Sequence, residues 1–272
     1  MSFRPLTIVP TTVCQLVIAG GIGSAKPLDV NIKVLKNVLE ANNTLAARIR
    51  EQLAAKRITA INLISAPGAG KTSLLEQTIP HLQSHHRVGV LEGDIATTRD
   101  ADRIAKLGVP VVQLLTGGAC HLEAPLVQRG LGELDLDALD LIFIENVGNI
   151  ACPAEFDLGE TAKVGILSVT EGHDKPGKYP LLFHEISALV LNKIDLLPYT
   201  DFNYEQFIAD FRKLNATAPL FQISCKAGQG IASWAHWLEH VMAGELHIAP
   251  HSHLDGIVPH QHPHPTHFQG VV

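Results

Sequence analysis

The spacing of apolar positions divides the chain into three stretches. From Asn31 to Ala55, Val34, Leu35, Val38, Leu39, Leu45, Ala46, Ile49 and Leu53 recur at helical intervals, which predicts an amphipathic helix. From Ile58 to about Val241, short apolar runs alternate with helical stretches. The runs are Ile58–Ile64, Arg87–Leu91, Val109–Leu115, Leu141–Ile144, Val164–Val169, Ala188–Leu191 and Leu220–Ile223. Several are apolar throughout, the pattern of parallel strands buried on both faces. Helical crossovers between such strands predict an α/β fold: a doubly wound, mostly parallel sheet of about seven strands with helices on both faces. Ligands bind these sheets at the carboxyl ends of strands.

The two ends read differently. Residues 1–28 hold Gly20, Gly21, Gly23 and Pro27 and are expected to form a loosely ordered extension. The domain with its leading helix is placed at 29–244. From 245 to 272 the chain has His247, His251, His253, His260, His262, His264 and His267, four prolines and no lysine or arginine. Such a low-complexity tail is expected to be disordered, since it has no means of packing a core.

Composition narrows the class. With 46% hydrophobic residues the chain can bury a sizeable core, and a net charge of −6 argues against a general nucleic-acid binder. Cys14, Cys120, Cys152 and Cys225 are too few and too scattered for a disulfide framework, so reduced thiols and a cytoplasmic location are expected. The apolar stretch after Arg4 has the outline of a secretory signal, but Pro5, Pro10 and three threonines interrupt it. No run of eighteen apolar residues predicts a membrane span.

Residues 65–72 read Ser-Ala-Pro-Gly-Ala-Gly-Lys-Thr, between a predicted strand and a helical Ser73–His81. This is a P-loop, with Ser65 where the pattern has glycine. Gly68, Ala69, Gly70 and Ser73 shape the wrap around phosphates, Lys71 reaches the β/γ-phosphates, and Thr72 binds Mg²⁺. The helix N-terminus adds its dipole. Asp94 and Glu145 follow two other strands and converge on the same edge. Glu145 is assigned to the Mg²⁺ shell, and Asp94 to the shell or to orienting the attacking water. Gly148 can offer its amide to a γ-phosphate and move on hydrolysis.

Asn192-Lys193-Ile194-Asp195 follows the strand Ala188–Leu191. The Asp195 carboxylate can accept two hydrogen bonds from guanine, which adenine cannot offer. Lys193 would lie along the base and Asn192 would tie the loop to the P-loop. Ser224-Cys225-Lys226 follows the next strand, where a Ser-Ala-Lys segment usually touches guanine O6. In this order the motifs select GTP.

A third constellation suggests a transition metal. Cys120 and His121 follow the strand Val109–Leu115, and Cys152 lies seven residues past Glu145. Thiolate and imidazole suit Zn²⁺ and Ni²⁺. Three ligands fall short of a closed structural site, so a second subunit or water would complete it. A buried small cysteine and a helix-start histidine would be the plainer explanation.

Together these segments resemble the HypB family of hydrogenase nickel-incorporation GTPases, in the SIMIBI class of P-loop NTPases. The resemblance rests on Asn62–Thr72, Glu92-Gly93-Asp94 with Asp100-Ala101-Asp102-Arg103, and Cys120-His121-Leu122-Glu123-Ala124. It continues in Glu145-Asn146-Val147-Gly148-Asn149 with Cys152-Pro153, Thr170-Glu171-Gly172 with Asp174-Lys175-Pro176, and Asn192–Asp195. It runs from about Val30 to Val241. The urease accessory GTPases share the fold but not these metal segments. The resemblance implies a GTP-dependent homodimer binding metal through Cys120, His121 and Cys152. It also implies a slow GTPase working with a HypA-type metallochaperone to load nickel into a [NiFe]-hydrogenase large-subunit precursor. Glu123 stands where the family has aspartate, and Cys14 is the sole N-terminal cysteine. The tail histidines, His251, His253, His260, His262, His264 and His267 among them, could store Ni²⁺ or Zn²⁺, or the tail could be inert.

Overall fold

The computed structural model describes residues 27–95 and 97–245, with side chains from residue 38 onward. Of the extension expected at 1–28 only residues 27 and 28 are described, as the start of a helix, and the histidine-rich tail lies outside the described residues from 246 on. The chain divides into two compact units at residue 38, and the second, from Leu39, holds the whole sheet.

The elements are α1 (Pro27–Ala55), β1 (Thr59–Ser65), α2 (Lys71–Leu82), β2 (Val88–Asp94), α3 (Arg99–Ala105) and β3 (Val111–Leu115). Next come α4 (Ala124–Gly132), β4 (Leu141–Glu145), α5 (Cys152–Glu155), β5 (Ala162–Ser168), α6 (Lys175–Lys178) and α7 (Pro180–Glu185). The last are β6 (Ala188–Asn192), α8 (Tyr204–Leu214), β7 (Leu220–Gln222) and α9 (Ile231–Met242). Each apolar run read from the sequence forms a strand, and every paired strand is parallel, in the order β3-β2-β4-β1-β5-β6-β7.

Alternation along β1 shows why both faces need cover. Ile61 and Leu63 join a core with Leu74 and Ile79 of α2 and Trp234 and Leu238 of α9. On the other face Ala60 packs with Ala46 and Ile49 of α1 and Val127 of α4. Ile64 packs with Phe183 of α7 and Phe207 and Phe211 of α8. Trp234 is fully buried and donates from Nε1 to Thr78 Oγ1 at 3.0 Å, fixing α9 against α2. Truncating it to alanine would cost about 3–5 kcal/mol.

α1 also anchors loops by side-chain bonds. Asn42 donates to the Asp157 carbonyl and accepts from the Ala124 amide, each at 2.8 Å. Arg50 meets the Asp157 carboxylate at 2.6 Å. These bonds hold the chain just after α5 and the start of α4. Among the described residues no helix is long and apolar enough to cross a membrane.

Candidate functional site

β1 lies at the centre of the sheet between β4 and β5, so the loop leaving its carboxyl end is flanked by the exits of both neighbours. That loop turns through Gly68 and Gly70, both at positive φ. A Cβ on Gly70 would stand 2.4 Å from Asn192 Nδ2, so the position requires glycine for conformation and for space. Asn192 Nδ2 donates to the Ala69 carbonyl at 2.9 Å, and its Oδ1 accepts from the Lys193 and Cys225 amides. Lys193 adopts the left-handed conformation at φ 61° and donates from Nζ to the Gly68 carbonyl at 2.7 Å. Asp195 Oδ1 accepts from Ser224 Oγ at 2.6 Å. Gly70, Asn192, Lys193, Asp195, Cys225 and Lys226 line a cleft of about 350 Å³. Burial pushes the Cys225 thiol up to about 11, so it stays protonated at neutral pH.

An adjoining cleft of about 400 Å³ is lined by the P-loop together with Glu92, Asp94, Asp100, Arg103, Glu145, Asn146 and Gly148. Its charges are unusually deep. Lys71 is buried and donates to Ser65 Oγ at 3.1 Å. The serine that departs from the P-loop pattern thus receives the loop's own ammonium. Burial lowers the Lys71 pKa, while Glu145, Asp100, Glu92 and Glu171 oppose that shift. Glu145 Oε1 accepts from Thr72 Oγ1 at 2.8 Å. Burial raises Glu145 to about 7 against the pull of Lys71 and the Thr72 hydroxyl. Glu92 is carried up to about 8, first by burial and then by repulsion from Glu145, Asp94 and Asp100. The repulsion follows from register, because Glu92 and Glu145 face each other across β2 and β4.

Glu92, Glu145 and Glu171 each keep one buried carboxylate oxygen without a hydrogen-bond partner. Of these, Glu92 and Glu145 line the cleft with Thr72, and orphaned oxygens beside a threonine hydroxyl are the donor set of a hard divalent cation, so these two fit Mg²⁺. Asp94 lines the same cleft. It accepts from the Ile95 and Thr97 amides and the Thr97 hydroxyl, holding its own loop. Arg103 bridges the α2–α3 side through Glu76, Asp100 and Ser73.

Cys120, His121 and Cys152 come together, with ligand atoms all within 4.8 Å of one another. The two sulfurs are 3.3 Å apart, and His121 Nδ1 is 3.8 Å from the Cys120 sulfur. The Cys120 contact, then burial, raises the Cys152 thiol pKa. The His121 ring stacks on Phe156 with centroids 4.0 Å apart. Its Nε2 faces Glu123 Oε1 at 3.4 Å, within ion-pair reach though not aligned as a hydrogen bond. Nδ1 therefore points to the thiols and Nε2 to a carboxylate, the arrangement that orients a metal-binding imidazole.

The segment leaving β4 connects the two centres. Gly148 lies against Pro67 of the P-loop, where a Cβ would meet the Pro67 Cα at 3.2 Å. Asn149 forms an isolated bridge with Ser65 and donates from Nδ2 to the Cys120 carbonyl at 3.2 Å. Behind it Asn146 accepts from the Leu122 amide and donates to Asn62, which donates to buried Glu160. Glu92, Glu171, Asn146 and Glu123 stand in the motifs named from the sequence, but the sequence assigned none of them a role. The signal for Glu92 was a charge inside an otherwise apolar strand.

A parallel sheet with a P-loop at its centre and a cleft lined by Asn192, Lys193 and Asp195 beside it is the fold of a P-loop nucleotide-binding protein of the GTPase type. Residues 59–222 match the family model described as CobW/HypB/UreG, nucleotide-binding domain. The hydrogenase maturation factor HypB of Escherichia coli K12 is 46% identical over 221 residues, covering 81% of this chain and 75% of that protein. HypB of Azotobacter vinelandii is 47% identical over 208 residues, covering 76% and 69%. The crystal structure of Helicobacter pylori HypB in complex with nickel superposes with a TM-score of 0.74 at 34% identity, covering 78% of this chain and all of that one. The chain belongs to the HypB hydrogenase maturation factors of the CobW/HypB/UreG family.

Proposed function

We propose that this chain hydrolyses GTP and uses the cycle to hold and release nickel during maturation of a [NiFe]-hydrogenase large-subunit precursor. The observation that carries the coupling is Asn149, which touches the P-loop strand at Ser65 and the carbonyl of Cys120.

Asp195 accepts the guanine donors, and Ser224 fixes its orientation. Lys193 flanks the base from a strained backbone, and Lys226 completes the wall. Lys71 exchanges Ser65 for a phosphate oxygen, and the P-loop amides surround the rest. Thr72, Glu145 and Glu92 are the residues that would hold Mg²⁺, which spreads the charge developing on the transferred phosphoryl group. Asp94 reaches an attacking water by giving up its bonds to Thr97, so nucleotide binding and loop movement are one event. Gly148 lies where a γ-phosphate would press on the segment that carries Asn149.

Nickel is the cargo. Cys120, His121 and Cys152 supply three ligands per chain, and a second protomer brought up by GTP supplies the remainder. Handover partners are a HypA-type metallochaperone and the hydrogenase precursor, in the cytoplasm. The test is phosphate release from GTP and from ATP at fixed Mg²⁺, with nickel analysis of the same protein. GTP turnover that ATP does not match, and loss of about one Ni²⁺ per two chains in Cys152→Ser, is expected. Equal turnover of both nucleotides, or unchanged nickel in the variant, overturns the reading.

A further inference from the structure

α9 presents two faces of opposite character. Trp234, Ala235, Leu238 and Val241 are buried in the core, and the outer face carries His236 and His240. Four residues apart on a helix, the two rings are neighbours. Their Nε2 atoms approach to 2.9 Å, with ring centroids 4.3 Å apart and planes at 78°. On the opposite edge of each ring stands a carboxylate. His240 Nδ1 is 2.5 Å from Glu245 Oε2, and His236 Nδ1 is 3.6 Å from Glu239 Oε2.

This arrangement fixes the chemistry of the gap between the rings. A neutral imidazole that gives its Nδ1 proton to a carboxylate has a bare lone pair at Nε2. At 2.9 Å one Nε2–H can donate to the other ring; with both protons on Nδ1 the two lone pairs converge, and a divalent cation can take the place of that bridging proton. A divalent ion at about 2.05 Å from each nitrogen would see them at about 90°, the angle between adjacent ligands in a tetragonal or octahedral shell. A tetrahedral ion would need the nitrogens about 3.3 Å apart. Carboxylates on the far ring nitrogens are the partners that raise the basicity of metal-bound imidazoles and hold their planes.

We propose that His236 and His240 form a second transition-metal site, a two-imidazole chelate for Ni²⁺ or Cu²⁺ on the outer face of α9. Its ligands are separate from Cys120, His121 and Cys152 and from the nucleotide clefts. Glu245 orients the His240 ring, Glu239 stands within ion-pair reach of His236, and water fills the other positions, as the exposure of both histidines allows. The helix is a rigid platform, held by the buried Trp234 and its bond to Thr78. Neither the proposed GTP cycle nor nickel handover is needed for this site to bind.

The chain supplies a local probe. Its two tryptophans, Trp234 and Trp237, both lie on α9 beside the pair. In the full-length protein labelled with ¹⁵N, the two indole N–H signals are followed as Ni²⁺ is added, with free ion fixed by a competing buffer so that other ligands do not deplete it. The wild type should broaden or shift these signals at a free Ni²⁺ concentration at least about 100-fold lower than His236→Gln or His240→Gln, because each variant destroys the chelate. The double variant should match either single one. Indole positions of the metal-free variants, unchanged from wild type, establish that α9 is intact. Single variants that each retain half of the response would mean two independent histidines. A response of the double variant at the wild-type Ni²⁺ concentration would place the ion elsewhere, and either result overturns the proposal.

Discussion

The nucleotide clefts and the Cys120–His121–Cys152 cluster are both built at strand exits, yet they solve opposite problems. The phosphate cleft buries Lys71, Glu92 and Glu145 and leaves buried carboxylate oxygens unsatisfied. Its chemistry is in place before a ligand arrives, and the cost of that burial shows in raised carboxylate pKa values. The metal cluster lies on loops and on the four-residue α5, with Cys120 exposed. Three ligands on such a support can be gripped or loosened by small loop shifts, which suits a cargo that must leave. On the proposed function, rigidity sits where the reaction would occur, and openness where the cargo would be exchanged. Four measurements test it.

The largest effect should come from the base cleft. Asp195→Asn puts a donor where guanine needs an acceptor, leaving facing donors unpaired. GTP selectivity over xanthosine triphosphate should fall by up to about 10⁴-fold, read by competition for the bound nucleotide. Selectivity that does not move would show that Asp195, despite its bond to Ser224, does not read the base.

At the metal cluster the supporting shell should matter less than the ligands but still measurably. Glu123→Ala frees the Nε2 side of His121 while leaving all three ligands. Ni²⁺ affinity should drop by about 10- to 100-fold. An unchanged affinity would mean that stacking on Phe156 alone orients the ring.

How much of this was legible in the sequence depends on the kind of signal. The central strands were readable because parallel strands buried on two faces are apolar in nearly every position, as Leu141–Ile144 of β4 and Ala188–Leu191 of β6 are. The P-loop and Asn192–Asp195 were readable because fixed spacing carries their chemistry. Glu92 was not, because its importance arises from register: only the pairing of β2 with β4 sets it beside Glu145. The Asn62–Asn146–Glu160 chain was hidden for the same reason, since its members come from the middle of β1, the exit of β4 and the approach to β5. The His236–His240 pair was passed over because an amphipathic helix accounts for polar residues on its outer face.

Glu92 gives a pH test of the buried cleft. Its folded pKa of about 8 lies above the ordinary carboxylate range, so the folded state holds its proton more tightly than the unfolded one. Stability is therefore full below the unfolded pKa and is lost as pH rises toward the folded value. In the absence of nucleotide and divalent ion, melting temperature should fall between pH 6 and 8.5. Glu92→Gln should remove much of that slope, raising the melting temperature at pH 8 by roughly 5 °C, equivalent to about 2 kcal/mol. Parallel pH profiles for variant and wild type would show that Glu92 is not strained by burial.

The smallest effect is the most informative, because it concerns the connection between the two regions. Asn149 has its backbone bridged to Ser65 and its side chain on the Cys120 carbonyl, so a push on one end displaces the other. Coupling requires that nucleotide state change the contacts around the metal, and linkage makes the effect mutual. Replacing GDP by a non-hydrolysable GTP analogue should shift Ni²⁺ affinity by about 5-fold or more. Asn149→Ala keeps the backbone bridge and removes the side-chain bond. It should leave GTP binding and Ni²⁺ binding each near wild type while bringing the ratio of nickel affinities toward one. Leu122–Asn146 remains as a parallel route, so a residual ratio of about two is expected, and Asn146→Ala in the same background should abolish it. If the ratio in Asn149→Ala equals that of wild type, the bond to Cys120 merely braces a loop, and nucleotide state reaches the metal by another path.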